Sequence, residues 1–316
     1  MLEIIDASIY GFIVGDALGV PVEFIDRKKL IDNPVVDMME YGTHNVPKGS
    51  WSDDTAMMLA TMDAFKEFDN NEIDYSMIMD NFLLWIDHGK YSSTDKGWGI
   101  GRGTLLSVAA YHRGIPLSEC GENDFKKNGN GSLMRILPMV LYCHYNNLND
   151  KQTLEVIKKT SQLTHAHEIS VVACFLYTRF FRAVLDTKDI IQSYEYMKST
   201  PISFDSMDSK EVFQRILDSD IGSYPVDEMQ SSGYVIHTLE AVLWVLLNSD
   251  NYKNALLKAV NLGQDTDTIA ALVGAVAAVI YGIEDIPTDW ILNIRKRDLL
   301  ETILQEFKQN LIENKR

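Results

Sequence analysis

Two stretches far apart in the chain carry the same combination of side chains. In GSWSDDT, residues 49–55, a glycine leads to Ser52, Asp53, Asp54 and Thr55; in GQDTDT, residues 263–268, a glycine leads to Asp265, Asp267 and Thr268. Each runs straight into an apolar segment, AMMLATMDAF after the first and IAALVGAVAAVIYG after the second. The plain account is helix capping, since Ser, Thr and Asp at a helix N-terminus accept the unbonded backbone N–H groups and meet the positive end of the dipole. Capping needs one oxygen at one position, however, and each stretch supplies two carboxylates and a hydroxyl. Carboxylates this close repel, and when partly buried they must protonate or meet a cation. Mg²⁺ and Mn²⁺ take oxygen ligands in octahedral arrangement, so a hydroxyl with carboxylates from two helix starts predicts a two-metal cradle. Zinc would call for Cys or His, and neither stretch has one.

Three further stretches bear groups of interest. In GFIVGDALGVPVEF, residues 11–24, Asp16 lies among small residues, while Glu23 follows Pro21 in what reads as a loop beyond a helix end. Asp16 reads as structural and Glu23 as a mobile acid or base. In NGNGSLMRILP, residues 128–138, Gly129, Asn130, Gly131 and Ser132 precede a helix expected to begin near Ser132, an arrangement that offers backbone N–H groups to a phosphate. In LTHAHE, residues 163–168, His165 and His167 stand two apart without further metal partners, which predicts one site-facing and one solvent-facing histidine.

The elements that must position these groups are helices. Apolar residues recur at three- and four-residue spacing in DNFLLWIDH (80–88), EISVVACFLYTRFFRAVL (168–185), GYVIHTLEAVLWVLL (233–247) and the run after Thr268. VVDMMEY (35–41) is the best candidate for a strand, and a weak one. Polar breaks at DRKKLIDNP, YGTHNVPKGS, KGWGIGRGT, KKNGNGS and SYPVDE read as loops between helices, and none has the character of an interdomain linker. The expectation is an all-α, compact multi-helix single domain over residues 1–316, closed by an amphipathic terminal helix in RKRDLLETILQEFKQNLIENKR.

Composition narrows the partners. Lys and Arg number 29 against 45 Asp and Glu, a net charge of -16, which argues against a nucleic-acid partner because that affinity rests largely on neutralising phosphates. Cys120, Cys143 and Cys174 are widely spaced and form no CxxC pair, so neither a disulfide framework nor a thiolate zinc site is suggested. The N-terminus carries Glu3 and Asp6 instead of a basic region, and no uncharged run approaches the ~20 residues of a membrane span. A cytoplasmic protein without a membrane partner is expected.

In order along the chain, GDALGVPVE, GSWSDDTAM, GNGSLMR, THAHE and GQDTDTIAALVGAVAAVIYG resemble the motifs of the ADP-ribosylglycohydrolase family. That resemblance implies an all-α fold with a dinuclear Mg²⁺ or Mn²⁺ cleft and hydrolysis at the anomeric carbon of ADP-ribose, carried by a protein or a small compound. It places the metal ligands on Ser52, Asp53, Asp54, Asp265, Asp267 and Thr268, and the proton transfer on Glu23 or Asp54. Gly101, Gly129, Asn130, Gly131, Ser132 and His165 would line the ADP-ribose pocket. WGIGRGT departs from the arginine-directed pattern, with Gly99 in place of Asp and Arg102 in place of a polar amide. A carboxylate partner for a guanidinium leaving group is thereby lost, and the acceptor stays open. Two other readings compete. One is a crystallin-like or ADP-ribose-binding protein without turnover. The other is a metal-dependent phosphohydrolase, in which a DxDx motif would have to end a buried strand.

Overall fold

The helix Leu2–Gly19 shows how this sequence builds a core. Gly11, Gly15 and Gly19 lie one helical turn apart, and a Cβ on each would fall on backbone of the helix Thr266–Tyr281, at Gly274, Ala270 and Asp267 respectively. The partner numbers fall as the glycine numbers rise, so the two helices run antiparallel with their backbones in contact. A glycine inside a helix costs about 0.5–1 kcal/mol relative to alanine, and close packing offsets it here. The Tyr252 hydroxyl donates to the Gly11 carbonyl at 2.9 Å and the Thr266 hydroxyl to the Gly19 carbonyl at 2.8 Å, tying both ends of the contact.

The computed structural model describes residues 2–67 and 73–313. Among them the backbone forms seventeen α-helices and six short 3₁₀ turns, with β-pairing confined to isolated bridges such as Tyr41–Val46 and Glu122–His165. The all-α expectation is met. The segment Leu2–Val22 has the length to cross a membrane and an 18-residue window of mean hydropathy 1.4, yet 83% of that window is buried inside the protein, as befits a core helix.

Contacts group the chain into two compact units, each assembled from distant segments. The first comprises Glu3–Ser50 with Arg179–Ile294. Besides the glycine-lined pair it contains the helices Val235–Leu247 and Tyr252–Val260, both packed on Thr266–Tyr281. The second comprises Trp51–Thr178 and the chain from Arg295 onward. At its centre the helix Asp53–Asp63 is buried on every side, covered by Tyr75–His88, Leu137–Tyr145 and the terminal helix Arg297–Glu313. The terminal helix is held by Phe307 edge-on to Phe65 and by Glu306 paired with Lys66. The helix Glu168–Thr187 contributes its residues up to Thr178 to this unit and the remainder to the first.

Three local expectations are corrected. Residues 35–41 form no strand; a side-chain amide takes the place of a neighbouring strand, Asn261 accepting from Val35 N and donating to Val35 O, both at 2.9 Å. DRKKLIDNP is not wholly loop, because Asp26 accepts from Lys28 N and starts a short helix, Arg27–Asp32. The helix after GNGS begins at Leu137 and not near Ser132, with Pro138 in its first turn, where a missing N–H costs nothing. Residues 131–135 are turns, so no helix N-terminus opens at Gly129–Ser132.

Candidate functional site

In the first unit the glycine-lined contact carries Asp267 into the core, 3% exposed, at the start of its helix. Asp265 occupies the N-cap position but makes no side-chain capping hydrogen bond, so capping does not account for its carboxylate. Asp267 Oδ1 accepts from Thr268 N at 2.9 Å, and Thr268 is 3% exposed. Glu23 reaches the same place from the other end of the chain. The turn Val20–Val22 carries it past Gly19, and a short backbone ladder fixes it: Phe24 N donates to Gln264 O at 2.6 Å and Gln264 N to Ile25 O at 2.9 Å. Left-handed backbone at Phe24, Gly263 and Gln264 lets the two tight turns face each other. Carboxylate oxygens of Glu23, Asp265 and Asp267 consequently all lie within 4.8 Å of one another.

Around this cluster, His44 Nε2 contacts Glu23 Oε2 and the Thr43 hydroxyl donates to Glu23 O at 2.7 Å. Glu23 is thus held at backbone and side chain. Asp265 N donates to Ser231 O at 2.9 Å, and a Cβ on Gly233 would stand 3.6 Å from Asp265 Oδ2. The loop before the helix Val235–Leu247 therefore walls the cluster. Sequence reasoning passed over Ser231, Gly233 and His44. A signal existed for the first two, since SSGYVIHTLEAV repeats the pattern of hydroxyls and glycine ahead of an apolar helix.

The second unit holds the other predicted residues. Ser52 caps the helix Asp53–Asp63 by accepting from Asp54 N at 3.2 Å, so capping explains the serine here. Asp53 is 8% and Asp54 1% exposed. Gly99, at φ 87°, presses on Asp53, and a Cβ there would lie 2.6 Å from Asp53 Oδ1. Gly101 starts the helix Arg102–His112 and faces open space. Arg102 is exposed.

Further along, Gly131 abuts the imidazole of His165, where a Cβ would come within 2.7 Å of Cε1. Asn130 is nearly buried and Gly129 half-buried. The Ser132 hydroxyl is turned inward, accepting from Ser161 Oγ at 2.9 Å, so only its backbone is available to a ligand. His165 is 5% exposed, and burial, aided by the Arg135 charge, pushes its pKa down to about 3, leaving a neutral ring at neutral pH. His167 is half-buried, edge-on to Phe125. Glu122 was missed, standing in a stretch, CGEN, that carries no motif. It is bridged to His165 by hydrogen bonds from Glu122 N to Thr164 O and from Ala166 N to Glu122 O.

The sequence profile of the ADP-ribosylglycohydrolase family matches residues 2–315, nearly the whole chain. The chain belongs to the ADP-ribosylglycohydrolase family. Membership carries the hydrolysis of an ADP-ribose linkage as its class of reaction. Among relatives of this ADP-ribosylglycohydrolase, an ADP-ribosylarginine hydrolase of Pseudomonas putida is 28% identical over 95% of this chain and 76% of its own length. The ADP-ribosyl-[dinitrogen reductase] glycohydrolase of Rhodospirillum rubrum is 28% identical over 89% of this chain and 86% of its own. A solved structure described as an ADP-ribosylglycohydrolase-related protein complex superposes with a TM-score of 0.79 at 24% identity, covering 98% of this chain and 99% of that one, and so shares the fold. The DxDx form of the phosphohydrolase alternative fails on secondary structure: Asp265–Thr268 opens a helix, and among the described residues no strand precedes it.

Proposed function

We propose that this protein hydrolyses the glycosidic bond at the anomeric carbon of ADP-ribose attached to a protein or a small acceptor, and that it does so with two bound Mg²⁺ or Mn²⁺ ions. The observation that carries the reading is the convergence of Glu23, Asp265 and Asp267 within 4.8 Å, in a chain matched from end to end by the family profile. Three carboxylates so close fit a hard cation: the donor atoms are all oxygen, and their mutual repulsion is relieved by positive charge between them. Asp265, Asp267 and Thr268 would serve as ligands in the first unit, and Ser52, Asp53 and Asp54 in the second. A divalent ion bound there supplies Lewis-acidic charge beside the sugar.

The chain's own residues supply the rest. Glu23 is the better candidate for moving the proton between water and leaving group, since its carboxylate is 12% exposed and touches His44, an exit for the proton, whereas Asp54 is almost wholly buried. Gly101, Gly129, Asn130, Gly131, the Ser132 backbone and His165 would hold the ADP-ribose. Turnover of ADP-ribosyl-arginine, ADP-ribosyl-serine and small ADP-ribosyl compounds, each with Mg²⁺, with Mn²⁺ and with chelator, tests the reading. Chelator is expected to abolish activity, and Asp267→Ala to do the same in a protein that still folds. Unchanged turnover in either case would remove the metal assignment.

A further inference from the structure

Arg135 is wholly buried, yet among the described residues no carboxylate pairs with its guanidinium. Its Nε and Nη1 make no hydrogen bond, the Phe82 ring lies 5.0 Å from its charge, and only Nη2 is engaged. Burying an arginine this way is costly, so its single bonded end points to a role. Nη2 donates to Thr160 O at 3.1 Å and to Thr164 Oγ1 at 2.9 Å. Thr164 Oγ1 stands 2.8 Å from His165 Nδ1.

The direction of these bonds follows from the atoms involved. A guanidinium only donates, so Thr164 Oγ1 accepts from it; among the described residues the hydroxyl's own proton meets no acceptor other than His165 Nδ1, and it is donated there. A ring nitrogen that accepts is unprotonated, and the proton of the neutral imidazole must sit on Nε2. Burial and the nearby Arg135 charge both keep the ring from taking a second proton. The other face of the ring looks onto glycine floor. A Cβ on Gly131 would stand 3.3 Å from Nε2, and one on Gly103 3.6 Å from Nε2 and 2.9 Å from Glu122 Oε2. Lys127 Nζ meets the remaining Glu122 oxygen at 3.0 Å.

We propose that Arg135 and Thr164 are positioning residues that lock His165 in its Nε2–H tautomer, so that the ring presents a fixed, uncharged hydrogen-bond donor between Gly103 and Gly131 to an oxygen of the bound ADP-ribose. The identity of the ligand rests on the function proposed above; the tautomer does not. A neutral donor of fixed direction suits a ribose or diphosphate oxygen, because it costs no reorganisation on binding.

The test reads the ring nitrogens first. In protein labelled with ¹⁵N-histidine and free of ligand, with His165 assigned by its loss in His165→Asn, the expected spectrum shows a proton on Nε2 and an acceptor-type Nδ1. A proton on Nδ1 would overturn the proposal whatever the substrate. Thr164→Val removes the hydroxyl at nearly constant volume and is expected to move the Nδ1 resonance toward its unbonded position and to weaken ADP-ribose binding roughly three- to tenfold, the worth of one hydrogen bond. Thr164→Ser should restore both. A valine variant that binds ADP-ribose like wild type, or a serine variant that rescues neither property, would also overturn it. If wild type shows the expected tautomer but does not bind ADP-ribose, the relay stands and the ligand assignment falls.

Discussion

Gly99→Ala offers the sharpest trial of the carboxylates in the second unit. The glycine sits at φ 87°, where a side chain costs about 1–2 kcal/mol. Its Cβ would lie 2.6 Å from Asp53 Oδ1, whereas ordinary contact begins at 3.4 Å, so the carboxylate must retreat by about 0.8 Å. Metal sites hold their ligands to about 0.2 Å, and a displacement four times larger would cost Asp53 its place. The strain lowers stability in buffer alone; the displacement lowers what metal adds. A ligand at a hundred times its Kd contributes about 2.7 kcal/mol, and wild type should gain stabilisation of that order from saturating Mg²⁺. Melting curves of both proteins across a Mg²⁺ titration separate the two effects. The variant is expected to melt lower in chelator and to gain less than a third of the wild-type increment. An undiminished increment would refute a ligand role for Asp53. By the same geometry, Gly99→Asp, which restores the arginine-directed residue, is expected to lose turnover on every substrate instead of gaining ADP-ribosyl-arginine.

Gly15→Ala puts a methyl group on the Ala270 carbonyl; despite about 1 kcal/mol of better helix propensity, overpacking should lower stability by about 1–3 kcal/mol in urea denaturation, and a stabilised variant would contradict the backbone contact. Asp63→Asn tests the acid limb: burial alone would raise the Asp63 carboxyl, but Lys66, Tyr91 and Lys90 hold it below the usual range. That contribution is present above the unfolded carboxyl pKa of about 3.9 and lost as pH falls through the lower folded value, so the gap to wild type should close below pH ~4, and a constant gap from pH 7 to 3 would argue against it. Asp53→Asn and Asp267→Asn should each abolish Mg²⁺-dependent stabilisation, and a wild-type response from either removes that residue from the ligand set.

The terminal helix Arg297–Glu313 is legible in sequence because one side of it, carrying Leu300, Ile303, Leu304, Phe307 and Leu311, must be covered while the other stays open. Asp53–Asp63 is harder to read: every residue is buried, so DDTAMMLATMD has no face to reveal, and its start is signalled by Ser52 instead. Asp265 and Asp267 were visible as a pair, but the arrival of Glu23 was not, since it depends on glycine-to-backbone contacts and a two-bond ladder that local pattern does not encode. Local pattern also misplaced the helix after GNGS, where Pro138 decides the start; its weak strand candidate at 35–41 has its backbone satisfied by Asn261 instead. The Arg135–Thr164–His165 chain left no trace because hydroxyl-mediated contacts have no fixed spacing.

The interleaving of the two units has a consequence at the ribosome. Glu23 is synthesised roughly 240 residues before Asp265, its companion in the acidic cluster; at about 5–20 residues per second, the nascent chain waits some 12–48 seconds for the pair to become possible. Through that interval the glycine-striped N-terminal helix has no Thr266–Tyr281 to lie against, and Asp53–Asp63 lacks its terminal cover. Emerging chains thus carry long-lived greasy segments, a natural clientele for chaperones, and truncation from the C-terminus should be far less tolerated in cells than the modest length of the last helix suggests.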